Sequence, residues 1–231
     1  MTWASRIKRK SRGLTAIIFL GAVSVSHEAG AEIVDASVAA QQIELFDVIL
    51  RYPQPPWVVG SLERSELLNR SKFYRDFSGN TFVLEQIPSG QEFDTWDSLF
   101  AVTAEELAVG RRFSMQDFIG LAERQNRLVC VDRGYAIQVL RATQNDSIVF
   151  MVCGSTEKGS TTIGYGPGVG EASLWRFLIY DDTYLKIYQR WRSSDFTIEN
   201  RDDWPMTEVE LREMVRRITD GVEVFRKVSG Q

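Results

Sequence analysis

The run from Ser147 to Cys153, SIVFMVC, constrains the fold more than any other stretch of the sequence. Its residues are almost all apolar and include β-branched and aromatic types, which are typical of a strand. A strand without alternating polar positions is buried on both faces. The run therefore predicts a central strand of a sheet that carries a packed layer on each side, or one layer and the N-terminal part of the chain.

Other segments supply neighbours for this strand. Each has strand-forming residues bounded by turn residues such as Gly79-Asn80, Asn145-Asp146 and Asp181-Asp182. The predicted strands are Ser71–Phe77 paired antiparallel with Thr81–Ile87, Tyr135–Leu140 before the central run, and the hairpin of Glu171–Tyr180 with Thr183–Arg192. In the last strand, Tyr184, Lys186, Tyr188 and Arg190 share a face that we expect to meet water. The pattern predicts an antiparallel sheet.

Two helices are predicted from their N-terminal caps. Ser114 and Asp117 have cap spacing, which indicates a helix over residues 114–126. Thr207 and Glu210 form a capping box, and an amphipathic pattern continues from there to Phe225. Both helices are expected to pack on the sheet, which gives an α+β fold.

The segment after the strand Thr81–Ile87 is acidic and aromatic. Pro88 to Gly90 ends the strand, because proline cannot donate to a ladder and glycine permits a tight turn. We expect an irregular linker after this turn. Trp96 in this linker either closes the open end of the sheet or contributes to a recognition surface.

The N-terminus has the pattern of a secretory signal peptide. Basic residues lie between Arg6 and Arg12, an apolar run of 12 residues extends from Leu14 to Val25, and small residues surround Ala31. The apolar run is shorter than the roughly 20 residues that span a bilayer. We expect cleavage after Ala31, no stable membrane anchor afterwards, and a periplasmic or secreted protein.

Cleavage would change the charge and remove the only histidine. The five Lys+Arg and one Asp+Glu lost from 27 and 31 leave 22 and 30, a net charge of −8, which argues against nucleic acid as a partner. Without His27, the chain has no Ser-His-Asp or Cys-His site and no imidazole ligand for zinc. A non-catalytic protein is therefore expected, without a catalytic residue, metal or cofactor.

Cys130 and Cys153 are the only cysteines. In an oxidising compartment they predict one intramolecular disulfide, and two buried free thiols are the alternative.

Two further regions are expected to lie outside the regular sheet. Residues 32–70 are interpreted as an N-terminal arm, in which Pro53 to Trp57 is either a spacer that packs down through Trp57 or a polyproline ligand. The glycine-rich segment Gly154–Gly170 is expected to be a mobile loop, since it lacks the pattern of a phosphate-binding loop.

The order of these elements resembles the Mog1/PsbP-like architecture. The resemblance extends from about Ser71 to Val228 and is most specific in the segment Phe82–Pro88, followed by Gln91, Asp94, Trp96 and Leu99. It implies a single α+β domain over residues 71–231, similar to uncharacterised exported bacterial proteins. It also implies a binding module and supplies no site.

The favoured function is that of an exported accessory protein of the bacterial cell envelope that binds an envelope protein or a small ligand. Aromatic and arginine side chains carry most interface energy. The candidate binding residues are Phe93, Asp94, Trp96 and Asp97 in the linker and Tyr184, Tyr188 and Arg190 in the hairpin.

Two other functions stay open. The first is a carboxylate-only hydrolase acting on glycans, with two acids from Glu85, Glu92, Asp94 and Asp97 placed across a cleft. The second is divalent-cation binding by Asp181, Asp182, Asp202 and Asp203, which lack the spacing of a calcium loop.

Overall fold

The computed structural model describes residues 42–58, 69–108, 110–131, 134–156 and 167–227. The predicted signal peptide, the start and end of the predicted arm, and most of the glycine-rich segment lie outside these residues. The described elements are the strands β1 Gln42–Leu45, β2 Val48–Arg51, β3 Ser71–Ser78, β4 Thr81–Pro88, β5 Ser98–Glu106, β6 Tyr135–Ala142, β7 Asp146–Cys153, β8 Val169–Tyr180, β9 Thr183–Ser194 and β10 Glu223–Arg226, the helices α1 Met115–Arg127 and α2 Glu208–Asp220, and a 3-10 turn at Arg201–Asp203.

Seven of these strands form one large antiparallel sheet. Its order is β3-β4-β5-β9-β8-β7-β6, and β1, β2 and β10 form a separate sheet in the order β1-β2-β10. The predicted antiparallel α+β fold is confirmed at this level. The two predicted hairpins are present, with Gly79 and Asp181 at positive φ in their turns. The apolar run lies in β7, which is almost completely buried, as predicted. Its predicted central position was wrong, because β7 lies between β8 and the edge strand β6.

The large sheet is covered on both faces, as the apolar run requires. On the α2 face, Met214 and Ile218 of α2 and the small sheet pack over residues such as Phe100 and Leu174. On the opposite face, which we call the α1 face, Met115 and Phe118 of α1 pack over β7 and β8. The part of the α1 face that β4, β5 and β9 form lies beside α1.

The predicted linker after Pro88 contains a strand that the sequence analysis missed. Ser98–Glu106 is β5, which pairs with β4 on one side and β9 on the other. Residues Leu99 to Ala104 are all buried. Only residues 89–97 form an irregular loop before β5. The prediction failed for a physical reason. Successive side chains of β5 point to two covered faces, so the strand has no polar face to mark it, and the acidic and aromatic residues before Ser98 suggested a loop.

The N-terminal arm is packed into the fold where it is described. Residues 42–51 form β1 and β2, and β2 pairs with the C-terminal strand β10. Trp57 packs down on the core, and its indole Nε1 donates to the Ser71 hydroxyl at 2.9 Å. The proline segment therefore covers the α2 face as a spacer.

The C-terminal helix is shorter than predicted. It begins at the predicted capping box of Thr207 and Glu210 but ends at Asp220, and Phe225 lies in β10. Gly221 follows the helix at a point where a Cβ atom would approach the Arg217 carbonyl oxygen to 2.6 Å. The apolar residues beyond Gly221 continue the helical pattern by chance, because Val222 and Val224 pack on the core from a loop and a strand.

The other helix and the disulfide agree with the sequence analysis. Ser114 and Asp117 form a capping box at the start of α1. Cys130 follows α1 and is bonded to Cys153 at the end of β7. The disulfide therefore ties the end of the helix to β7.

Candidate functional site

Strand alternation brings a group of polar side chains together on the α1 face. The group consists of Glu85 in β4, Thr103 in β5, and Lys186, Tyr188 and Arg190 in β9. Side chains alternate between the two faces along a strand, and the pairing of β4, β5 and β9 places all five on this face. We call these five residues the polar strip. It lies between Phe118 of α1, whose ring is 5.2 Å from that of Tyr184, and Trp96 of the loop before β5.

A buried ion cluster closes one end of the polar strip. The Glu171 carboxylate accepts from Arg190 Nε at 2.7 Å and from Arg192 Nε at 3.0 Å. Arg192 also lies 3.5 Å above the Trp96 ring, and Arg190 is 5.6 Å from it. The residue Glu171 is 4% exposed. Two arginines, one glutamate and one tryptophan thus form a tightly packed cluster.

Burial shifts the pKa values within this cluster. It raises the pKa of the Glu171 carboxyl from 4.5 to about 7, while the Arg192 guanidinium acts in the opposite direction. It lowers the pKa of Arg190 from 12.5 to about 9, with Arg192 contributing as a like charge. Removing these ions from water therefore costs free energy, which their mutual hydrogen bonds offset.

Glu85 and Tyr188 interact across β5. They are the register partners of Ala101 on its two sides, and the Tyr188 hydroxyl interacts with the Glu85 carboxylate. Ala101 is completely buried beneath this contact, and its small side chain leaves room for it. The Tyr188 ring stacks on Trp175 with centroids 4.1 Å apart. Burial raises the pKa of Glu85, although Arg190 and Arg192 act to lower it.

Lys186 and Thr103 lie directly opposite each other in the register of β5 and β9. Burial lowers the pKa of the Lys186 ammonium group from 10.5 to about 8, and the charge of Glu105 opposes this shift. Thr103 is 7% exposed, and its hydroxyl has no hydrogen-bond partner among the described residues. Val83, Glu85 and Lys186 are only partly buried, so this part of the strip is accessible from solvent.

The structure brings together three of the seven predicted binding residues. Trp96, Tyr188 and Arg190 lie at the polar strip or its edge. The expectation that the hairpin face meets water was wrong, since Tyr184 is 2% and Tyr188 is 6% exposed. The Tyr184 hydroxyl accepts from the Phe113 amide at 2.8 Å and donates to the Phe113 carbonyl at 2.9 Å, which anchors the start of α1.

The other predicted residues lie in the loop before β5. The ring of Phe93 packs edge-on against Tyr74 at 6.3 Å, and Asp94 is exposed. The Asp97 carboxylate is hydrogen-bonded to the Gln91 amide. This loop borders the strip on the side of β3 and β4.

The acids predicted for glycan hydrolysis do not converge. Glu85 belongs to the polar strip, whereas Asp94 and Asp97 are exposed and Glu92 forms an exposed ion pair with Lys72. The aspartates suggested for cation binding are also separated, between the β8–β9 turn and the 3-10 turn. Within the described residues, no group of three or more His, Cys, Asp and Glu side chains is placed to hold a metal ion.

Sequence reasoning missed Glu171, Arg192, Lys186 and Thr103. A signal for the first two was present. Counting outward from the turn at Asp181-Asp182 places Glu171 opposite Arg192 in an antiparallel hairpin, as observed. A carboxylate and a guanidinium opposite each other on a covered face predict a buried ion pair.

In comparisons with known proteins, no family model matches this chain, and neither the curated proteins nor the solved structures give a significant match. Among the helices of the described residues, none has the length and apolar character needed to cross a membrane.

Proposed function

We propose that this chain is an exported, non-catalytic binding protein of the bacterial cell envelope with a Mog1/PsbP-like fold. Its N-terminal sequence supports export, and its disulfide is of the kind that persists in an oxidising compartment. Its binding site is the polar strip with the neighbouring loop of residues 89–97, and its ligand is an envelope protein or a small molecule.

The observation that carries this proposal is that the ionisable groups of the strip interact with one another. Glu171 is held by two arginines, and Glu85 is held by Tyr188. A general acid or base must instead reach the proton of a bound substrate. Groups that are fixed in this way shape a surface that holds a ligand, and the partial exposure of Val83, Glu85 and Lys186 gives a ligand access to it.

Blocking the strip tests the binding function. Val83 is partly exposed and lies opposite Thr103, so Val83→Trp would cover the strip with an indole ring. Glu106→Trp is the matched control, because Glu106 is exposed at the end of β5 and its side chain projects from the other face. The three proteins are used as baits in envelope extract, and retained proteins and small molecules are identified by mass spectrometry. We expect a ligand that wild type and the control retain and Val83→Trp loses. Identical profiles would contradict the proposal.

Export has its own test. The protein is expressed with its natural N-terminus in a bacterium, and the periplasmic fraction is analysed by N-terminal sequencing. Cleavage after Ala31 predicts Glu32 as the first residue. Recovery of an uncleaved chain in the cytoplasm would contradict it.

A further inference from the structure

We infer that the polar strip binds a neutral, hydroxyl-rich ligand, such as a sugar residue of an envelope glycan, and that the Thr103 hydroxyl bonds directly to it. This inference rests on the proposed binding function and names the chemical class of the ligand. Three independent features carry it, namely the charge balance of the strip, the buried hydroxyl of Thr103 and the aromatic side chains at its edge.

The charges around the strip sum to zero. On the α1 face of β4, β5, β8 and β9, the charged residues are three acids and three bases, namely Glu85, Glu105, Glu171, Lys186, Arg190 and Arg192. They interact with one another, as Glu171 does with both arginines and Glu105 with Lys186. A charged ligand would bring an uncompensated charge into this poorly solvated region at a large cost in free energy. A neutral ligand avoids this cost and can hydrogen-bond to the charged groups.

Thr103 lies at the base of the strip between its register partners Val83 and Lys186. Because its hydroxyl is buried and no described residue bonds to it, the protein loses the solvation of this group without a replacement. A ligand hydroxyl that displaces the half-buried side chains of Val83 or Lys186 can both donate to and accept from Thr103. Lys186 and Glu85, beside it, would supply a donor and an acceptor to neighbouring ligand hydroxyls.

Aromatic rings border the strip where it opens. Tyr74 in β3 lies opposite Glu85 and is 36% exposed, and Phe93 packs on its ring. Small-molecule sites commonly combine aromatic walls with a few polar groups that fix orientation. The apolar C–H face of a sugar ring matches the rings of Tyr74 and Phe93, while its hydroxyls match the polar strip.

A series of sugars that share one ring and carry different charges tests the inference. Glucose and N-acetylglucosamine are neutral, glucosamine is a cation and glucuronic acid is an anion on the same ring. Binding to the purified protein is measured by saturation-transfer NMR titration, with free ligand checked for cleavage. We expect the neutral sugars to bind at least about tenfold more tightly than both charged ones, a difference of about 1.4 kcal/mol. Equal or tighter binding of a charged sugar, or no binding of the neutral sugars, would overturn the inference.

Two threonine variants test the role of the hydroxyl. Thr103→Val keeps the shape and removes a hydroxyl that has no partner in the described residues, so we expect wild-type thermal stability and at least about fivefold weaker sugar binding. Thr183→Val is the control, because the buried hydroxyl of Thr183, the first residue of β9, donates at 2.7 Å to Oδ1 of Asp47 in the β1–β2 turn. This control should melt at a lower temperature and bind with wild-type affinity. Wild-type affinity of Thr103→Val would overturn the inference.

Failure of the proposed ligand class can be distinguished from failure of the proposed binding function. If Val83→Trp loses a ligand from envelope extract while no neutral sugar binds, the ligand class is wrong and the binding function stands. If Val83→Trp loses nothing, the binding function has failed.

Discussion

The residues of the polar strip depend on one small side chain beneath them. Two strand spacings, about 10 Å, separate β4 from β9, and Glu85 and Tyr188 bridge this distance over Ala101. A larger residue at position 101 would occupy the space in which the two side chains meet. The contact between Glu85 and Tyr188 therefore requires a small side chain at position 101.

Ala101→Leu should destabilise the protein by about 1–3 kcal/mol, because overpacking in a closed site forces side chains out of their preferred rotamers. The same change at Ala136, which is exposed in the edge strand β6, is the control and should be close to neutral. Urea denaturation of both variants measures the difference. Equal stability of the two variants would show that the site under the strip is not closed.

The buried carboxyl of Glu171 should make stability depend on pH. Its pKa rises from 4.5 to about 7 on folding. Between these values the folded protein holds more protons than the unfolded chain, so this group lowers the free energy of unfolding as pH increases and has its full destabilising effect above about pH 7. We expect the free energy of unfolding of wild type to decrease from about pH 4.5 to about pH 7 more steeply than that of Glu171→Gln, which cannot ionise. Parallel profiles would contradict this account.

These residues also mark the limit of what the sequence could reveal. Polar side chains such as Lys186, Tyr188 and Arg190 alternate along a strand in the same way whether the face meets water or another part of the protein. The pattern fixes which residues share a face, and only tertiary packing decides how that face is covered. The partners of the strip therefore became visible in the structure.

Among the elements, the C-terminal end of α2 is bonded to an arginine of β8. Arg176 donates to the Ile218, Thr219 and Val222 carbonyls at the end of the helix at 2.6, 3.0 and 3.3 Å. It also forms two 3.0 Å hydrogen bonds with the Asp146 carboxylate. Arg176 thereby satisfies carbonyl groups that the end of a helix leaves without partners.

Arg176→Met should lower the free energy of unfolding by about 2–5 kcal/mol, because it leaves several carbonyls without their donor and removes one of the two arginines that bond the partly buried Asp146 carboxylate, the other being Arg141. Arg216→Met is the control. Arg216 is 63% exposed on the same helix and pairs with Glu213, so its loss should change the free energy of unfolding little. Urea denaturation compares the two variants. A similar loss in both would show that the Arg176 contacts contribute little.

The elements were predictable where local signals agree with the tertiary structure. The β8–β9 hairpin and the start of both helices were predicted, because turn residues and capping boxes act over a few residues. The strand β5 and the end of α2 were not. In both cases the deciding interactions come from distant parts of the chain, namely the pairing of β5 with β9 and of β10 with β2.

At the scale of the whole molecule, the disulfide links the layer formed by α1 to β7, the strand next to the edge of the large sheet. Its cysteines are separated by 23 residues. Reduction should lower the free energy of unfolding by roughly 3 kcal/mol, because the unfolded chain gains conformational entropy. Guanidinium denaturation with and without reductant measures this, and Cys130→Ser/Cys153→Ser should match the reduced protein. No other cysteine is present to complicate the result. An unchanged midpoint would contradict a stabilising disulfide.

The central claim is that the protein holds a neutral, hydroxyl-rich ligand on the α1 face beside α1. The most direct measurement is a map of backbone amide chemical shifts during titration with an N-acetylglucosamine disaccharide. The account predicts saturable shifts clustered in β4, β5 and β9 around Thr103 and in the loop of residues 89–97, with α2 and the small sheet unaffected. Saturation of shifts elsewhere, with β5 around Thr103 unchanged, would contradict it.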